Sequence, residues 1–209
     1  MLKLILVRHG QTFWNREMKY QGHSDIALDE EGLRQAELVG ERLKQESVQA
    51  VYSSDLKRAM VTAEKIAAHH GLPVGIMPDL REIMFGEWEG YTFQFVYERW
   101  PQEADKLFTS ALEARIPGGE TFEQVKERAQ RAIDELTAKH QDQTVVVVCH
   151  GGIIRTILCN VLGIDLNRVW DIKQDNTAVN IMEVHPGRNV IALVNDTHHL
   201  EKTLKKVTS

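Results

Sequence analysis

Cysteine is nearly absent from the chain: two residues, Cys149 and Cys159, among 209. Both stand in apolar surroundings, so they read as reduced core thiols of a cytoplasmic protein and leave no material for a disulfide framework. A basic excess is also missing, because 25 lysines and arginines face 30 acidic residues for a net charge of −5. This gives no footing for nucleic acid or an anionic membrane, and any bound anion must be held by a local cluster. No apolar run approaches a membrane span, and the first one, too short for a signal peptide, is stopped by Arg8. With five prolines, no repeat and no low-complexity linker, the expectation is one domain over residues 1–209. At 43% hydrophobic content it can bury roughly 70% of its unfolded surface. The adjacent pairs His69-His70 and His198-His199 do not place two imidazoles on one face and read as surface histidines, so no metal or other cofactor is expected.

What the chain does have is a repeated strand ending. Leu4-Ile5-Leu6-Val7 runs into Arg8-His9-Gly10, and Val145-Val146-Val147-Val148-Cys149 runs into His150-Gly151-Gly152. In an open α/β sheet, ligands sit beyond the carboxyl ends of strands, so the two imidazoles are expected in one crevice. Asp29 reads as the cap of a helix carrying Leu33, Ala36, Leu38, Val39 and Leu43, and Val48–Tyr52 returns to strand character. Ser53-Ser54-Asp55 reads as the opening of a second helix that ends at Gly71 and Pro73. The segment from about 85 to 120 breaks the rhythm with aromatics, Pro101, Pro117 and Gly118-Gly119, and reads as a mostly helical insertion, a cap over one edge of the sheet. Thr121-Phe122-Glu123-Gln124 fits a capping box, and a helix over about 153–162 follows the second histidine strand. Val179–Val184 and Val190–Val194 flank Pro186-Gly187 as a closing hairpin, and the polar tail after Leu200 is expected to be loose. The fold class is therefore α/β: a three-layer α/β/α arrangement on a mostly parallel sheet with a helical cap.

Arg8-His9-Gly10-Gln11-Thr12, with Trp14-Asn15 behind it, resembles the signature of the histidine phosphatase superfamily, which includes cofactor-dependent phosphoglycerate mutases. Gln21-Gly22, Ser53-Ser54-Asp55-Leu56-Lys57-Arg58-Ala59, Leu80-Arg81-Glu82, Gly118-Gly119-Glu120 and His150-Gly151 follow in that family's order. The chemistry suits these residue types, since a transferring phosphoryl group needs fixed donors around its oxygens and an in-line nucleophile. The resemblance implies that His9 is that nucleophile, forming phosphohistidine. It also implies that Arg8, Arg58 and His150 clamp the phosphate and that Asn15, Gln21, Gly22 and Gly151 complete its binding site. Taken alone, Arg58 would be a solvated helix charge, Asn15 a turn former and Gly151 a helix-entry residue. Glu82 is implied as proton donor to the leaving group and later as base for water. Such an acid needs a raised pKa, for which Ile83, Met84, Phe85 and Trp88 offer an apolar setting. A strand-end pairing with Arg81 is its structural alternative, and Glu87 and Glu89 are its rivals.

Cys149 and Arg155 also satisfy the Cys-x5-Arg pattern of cysteine-dependent phosphatases, a competing enzyme reading. It lacks its acid, because the nearest loop reads Trp100-Pro101-Gln102. That leaves Cys149 a core thiol and Arg155 a helix-surface or substrate-side residue. Among family members, the short insertion favours a metal-independent phosphomonoester hydrolase over a phosphoglycerate mutase. Its Trp88, Phe93, Phe95, Tyr97 and Trp100 suggest an apolar part of the pocket. The pattern looks most like α-ribazole-5′-phosphate phosphatases or broad phosphomonoesterases acting on a small phosphorylated metabolite, as monomer or homodimer. A metal-independent phosphoserine phosphatase branch shares Asp175-Asn176 and the ending Asn195-Asp196-Thr197-His198-His199-Leu200, but carries histidine where this chain has Phe85. A catalytically silent phospho-ligand binder is the remaining alternative from another class.

Overall fold

The computed structural model describes residues 1–201. Its centre is a six-stranded sheet of order β3-β2-β4-β1-β5-β6. The strands are β1 (Leu2–Arg8), β2 (Ala50–Ser53), β3 (Val74–Ile76), β4 (Thr144–Cys149), β5 (Val179–His185) and β6 (Arg188–Asp196). β3, β2, β4 and β1 run parallel, and β5 and β6 close the sheet as an antiparallel hairpin. β1 and β4 are covered on both faces, which is why they read as unbroken apolar runs. Side-chain alternation sends Leu4, Leu6, Val145 and Val147 into one core and Ile5, Val7, Val146 and Val148 into the other. Each such fully buried side chain contributes about 2 kcal/mol of transfer free energy.

The helices are α1 (Phe13–Arg16), α2 (Glu30–Leu43), α3 (Lys57–Ala68), α4 (Phe93–Arg99), α5 (Pro101–Thr109), α6 (Phe122–Lys139), α7 (Gly151–Leu162) and α8 (His198–Glu201). α2 and α3 cover one face of the sheet and α6 and α7 the other. Asp29 caps α2 through the Gly32 N–H at 2.8 Å, and Thr121 and Gln124 form the capping box that starts α6.

Several expectations are corrected. Leu33 points outward from α2, 44% exposed, because the buried stripe runs through Gln35, Ala36, Val39 and Leu43. α3 begins at Lys57 rather than in Ser53-Ser54-Asp55, whose side chains are drawn elsewhere: Ser54 to His150 and Asp55 to Arg81. The three-residue β3 is too short to show a period. The 85–120 segment is helical as expected, but Val96, Ala104 and Leu107 join the α6/α7-face core. Its α5 packs on the short helical turn at Leu166–Asp171. The surface reading of His198-His199 fails for His199, which is 4% exposed. The tail expected to be loose lies, from residue 202, outside the described residues.

Candidate active site

β1 and β4 are adjacent parallel strands in register, Arg8 opposite Cys149. Their chains leave toward opposite faces, β1 toward α2 and β4 into α7, which opens a crevice between their ends. His9 and His150 meet there with ring centroids 5.0 Å apart. His9 is 3% exposed, and its Nδ1 lies 2.7 Å from the Gly10 carbonyl oxygen. That oxygen can only accept, so Nδ1 carries the proton and Nε2 presents a lone pair that can attack an electrophile. Burial, then Arg58 and Arg8, hold the His9 pKa well below the ordinary 6.5, keeping the ring neutral. His150 is fully buried, with Nε2 2.7 Å from Ser54 Oγ. Its pKa is likewise pushed well down by burial, then Arg58 and His9.

Arg8 donates to the Gln174 carbonyl at 2.6 Å, and Arg58 donates to the Ser24 and Gly22 carbonyls at 2.8 and 2.6 Å. Burial is the first cause lowering both pKa values to about 10, so each remains a cation at neutral pH. Buried N–H groups normally have partners. Here Arg8 Nε, Arg58 Nε, His150 Nδ1 and Gln21 Nε2 have none, four of the seven buried side-chain polar atoms so placed among the described residues. These are cationic or neutral nitrogens from four separate segments, and the positive end of the α7 dipole adds to them. Such a set can stabilise a multiply charged anion in a site of low dielectric.

Asn15 Oδ1 accepts from Thr12 and from Asn176, which turns its amide nitrogen to donation. Asn15, Gln21 and Gly151 line a cleft of about 480 Å³ together with Arg8, His9 and Glu82. Gly22 does not line it, and instead supplies the carbonyl that holds Arg58. A Cβ there would come 2.6 Å from the Ile83 carbonyl oxygen, so only glycine fits. Arg58 and His150, expected at the phosphate, are not among the residues that line the cleft either.

Glu82 is 9% exposed and accepts from the Ile83 N–H at 2.9 Å and the Gly152 N–H at 3.0 Å. Arg81 pairs with Asp55, not with Glu82. Of the rival acids, Glu89 accepts from the backbone N–H groups of His23, Ser24 and Phe85 and so staples two loops, while Glu87 faces solvent. Cys149 is fully buried in the α6/α7-face core, where burial drives its thiol pKa far up. A thiolate mechanism therefore has no nucleophile.

Several residues at the site escape a sequence reading. Arg128, on α6, donates to the Glu82 carbonyl at 2.9 Å and pairs with Glu120, and His23 Nε2 lies 2.9 Å from the same carbonyl. A buried arginine on a helix face otherwise apolar is the signal that could have found the first. Arg155, expected as a helix-surface or substrate-side residue, takes the second of these places, lining the cleft with its guanidinium 5.0 Å from the Trp170 ring centre. Of the insertion's aromatics Phe85, Phe93 and Phe108 line the cleft, with Tyr20 and Trp170 from outside it, whereas Phe95, Tyr97 and Trp100 do not line it and Trp88 is fully buried packing. Among the described residues no group of three or more histidine, cysteine or acidic side chains is disposed to hold a metal.

Sheet and cluster together define the class, an α/β phosphatase centred on histidine. The chain belongs to the histidine phosphatase superfamily (branch 1), whose model matches residues 4–197. It is 36% identical over 200 residues to phosphoserine phosphatase 1 of Hydrogenobacter thermophilus, covering 96% of this chain and 95% of that one. It is 40% identical over 206 residues to phosphoglycerate mutase-like protein 4 of Arabidopsis thaliana, covering 96% and 88%. Among solved structures, Bacillus stearothermophilus YhfR superposes with a TM-score of 0.92 at 32% identity, covering 96% and 100%. The α-ribazole phosphatase of Shigella flexneri does so at 0.84 and 26%, covering 93% and 96%.

Proposed function

We propose that the protein is a metal-independent phosphomonoester hydrolase acting through phosphohistidine. The observation that carries this reading is the unprotonated Nε2 of His9 in a site where buried side-chain nitrogens of Arg8, Arg58, Gln21 and His150 have no partner. Nε2 attacks phosphorus, and the P–O bond to the leaving group breaks as Glu82 delivers its proton. Arg8, Arg58, His150, Asn15 and Gln21 hold the phosphoryl oxygens, and Gly151 brings the α7 amino end to them. Gly22 acts through Arg58. The second half runs in reverse, with the Glu82 carboxylate taking a proton from water as it attacks phosphohistidine. One cytoplasmic domain capped by residues 85–120 would suffice for this chemistry.

For the substrate, the wall of Tyr20, Phe85, Phe93, Phe108 and Trp170 favours a leaving group with a flat apolar part, as in α-ribazole-5′-phosphate. Phosphoserine is the second reading, supported by the name of the Hydrogenobacter relative. The test is kcat/KM in excess EDTA for α-ribazole phosphate, phosphoserine and 3-phosphoglycerate, with mutase products assayed in parallel. Activity lost in chelator and restored by Mg²⁺ or Zn²⁺ would overturn the metal-free clamp. A strong preference for phosphoserine would replace the α-ribazole reading, and phosphoglycerate isomerisation faster than hydrolysis would replace both.

A further inference from the structure

Thr177 is fully buried and holds a left-handed backbone, φ 55°, a conformation that disfavours a β-branched side chain. The turn around it touches three residues of the site. Thr177 N–H donates to the His9 carbonyl at 3.2 Å, and the Asn176 amide donates to the same oxygen at 3.1 Å and to Asn15 Oδ1 at 3.3 Å. Gln174 and Ala178 offer their carbonyls to the side chain and backbone of Arg8.

The strained turn is tied down from the far end of the chain. Thr177 Oγ spends its one proton on the Asn176 carbonyl at 2.8 Å, so toward His199 Nε2, 3.1 Å away, it can only accept. His199 therefore carries its proton on Nε2 and leaves Nδ1 bare. Arg42 donates to that Nδ1 at 3.2 Å and to the Asp196 carbonyl at 3.0 Å, and also pairs with the Asp196 carboxylate. Burial, with Arg42 next, lowers the His199 pKa to about 4, consistent with this neutral form.

Resting on the mechanism above, we infer that His199 is a positioning residue for the nucleophile: through Thr177 it locks the 174–178 turn that orients His9, Arg8 and Asn15. The fixed shape of this turn sets the approach of Nε2 to phosphorus, where small misplacements are expensive.

The test is the single-turnover rate of phosphoenzyme formation with p-nitrophenyl phosphate, measured on protein verified as folded. His199→Leu should slow it about tenfold or more. His199→Gln, whose amide can still donate to Thr177 Oγ, should recover most of the loss. Glycine adopts φ 55° without strain, so in a Thr177→Gly background the further loss on His199→Leu should shrink to near nothing. Thr177→Val removes the hydroxyl while leaving Arg42, His199 and Asp196 joined, and it should also be slow, which frees the test from the folding of any His199 variant. Parental rates in Thr177→Val or in folded His199→Leu would overturn the inference, as would equal losses on His199→Leu in both backgrounds. His9→Ala separates the two levels: turnover in that variant sinks the phosphohistidine mechanism, whereas a dead His9→Ala beside fast His199 variants sinks only the positioning role.

Discussion

The two strand endings are alike in sequence and opposite in wiring. After β1, His9 spends its ring proton on its own neighbour, the Gly10 carbonyl, and keeps Nε2 for the cleft. After β4, His150 is tied at Nε2 to Ser54 on the neighbouring strand's exit, is fully buried, and has Nδ1 unpartnered. One histidine thus keeps a bare ring nitrogen for attack, as the proposed mechanism requires, while the other can donate from Nδ1 whenever Ser54 gives its hydroxyl proton to Nε2. The difference comes from the partners of the remaining ring nitrogen, an oxygen that can only accept in one case and a hydroxyl able to do either in the other.

Breaking this comparison should give the largest effect. His9→Ala should abolish turnover and phosphoenzyme trapping, a loss of at least about 10⁴-fold in kcat. His150→Ala removes one donor from a clamp that keeps its arginines, and should cost about 10²–10³-fold in kcat/KM while phosphoenzyme remains trappable. Equal and complete loss of trapping in both variants would dissolve the division of labour.

The next contrast sets Glu82 against Glu89. Glu82→Gln should lower kcat/KM about 10²-fold for an alkyl phosphate and far less for p-nitrophenyl phosphate, because nitrophenolate departs without a proton. Glu89→Ala frees three backbone N–H groups and should lower stability by about 1–3 kcal/mol in denaturant titrations. It should also lower the rates on the two esters by the same factor. Equal losses on the two esters in Glu82→Gln would make that residue structural.

Acidification should sharpen the contrast further. Both histidines have folded pKa values below the ordinary 6.5, so on going below pH 6.5 the unfolded chain binds protons that the native chain refuses. Above pH 6.5 neither contributes a pH dependence. Below it, stability should fall with a slope of up to about 1.4 kcal/mol per pH unit for each histidine, until the lowered folded pKa is reached. Inorganic phosphate should flatten that slope, since an anion beside Nδ1 favours the cationic form of His150. Urea titrations between pH 5 and 7 with and without phosphate measure it, and a flat unliganded profile would contradict the burial argument.

Much of this was legible in the chain, for reasons particular residues make plain. Strands buried on both faces announce themselves as Leu4–Val7 and Val145–Val148, and caps such as Asp29 and Thr121 mark helix starts by local chemistry. The convergence of His9 and His150 followed from strand endings in an open sheet. Long-range partners were not legible. Arg128 on Glu82, Glu89 on the His23 N–H, and His199 on Thr177 are contacts that span 46, 66 and 22 residues, and they have no periodic trace. Gly22 was legible as a site residue but not as the support of Arg58, because its role depends on the loop that Glu89 holds against it.

The smallest effect belongs to the residue that stands one position before His150. Cys149 closes β4, and strand alternation turns its side chain into the α6/α7-face core while the next residue enters the crevice. Burial disfavours its thiolate, and Arg155, the arginine of the Cys-x5-Arg spacing, spends its Nε on the Ile172 carbonyl and lies over Trp170. Cys149→Ser should therefore keep kcat/KM within about threefold of the parent. It should lower stability by about 1–3 kcal/mol, since a hydroxyl replaces a thiol in an apolar setting. Iodoacetamide should leave the activity of the native enzyme intact, because alkylation needs both a thiolate and access. Loss of phosphoenzyme in Cys149→Ser with retention in His9→Ala would invert the reading of both strand endings at once.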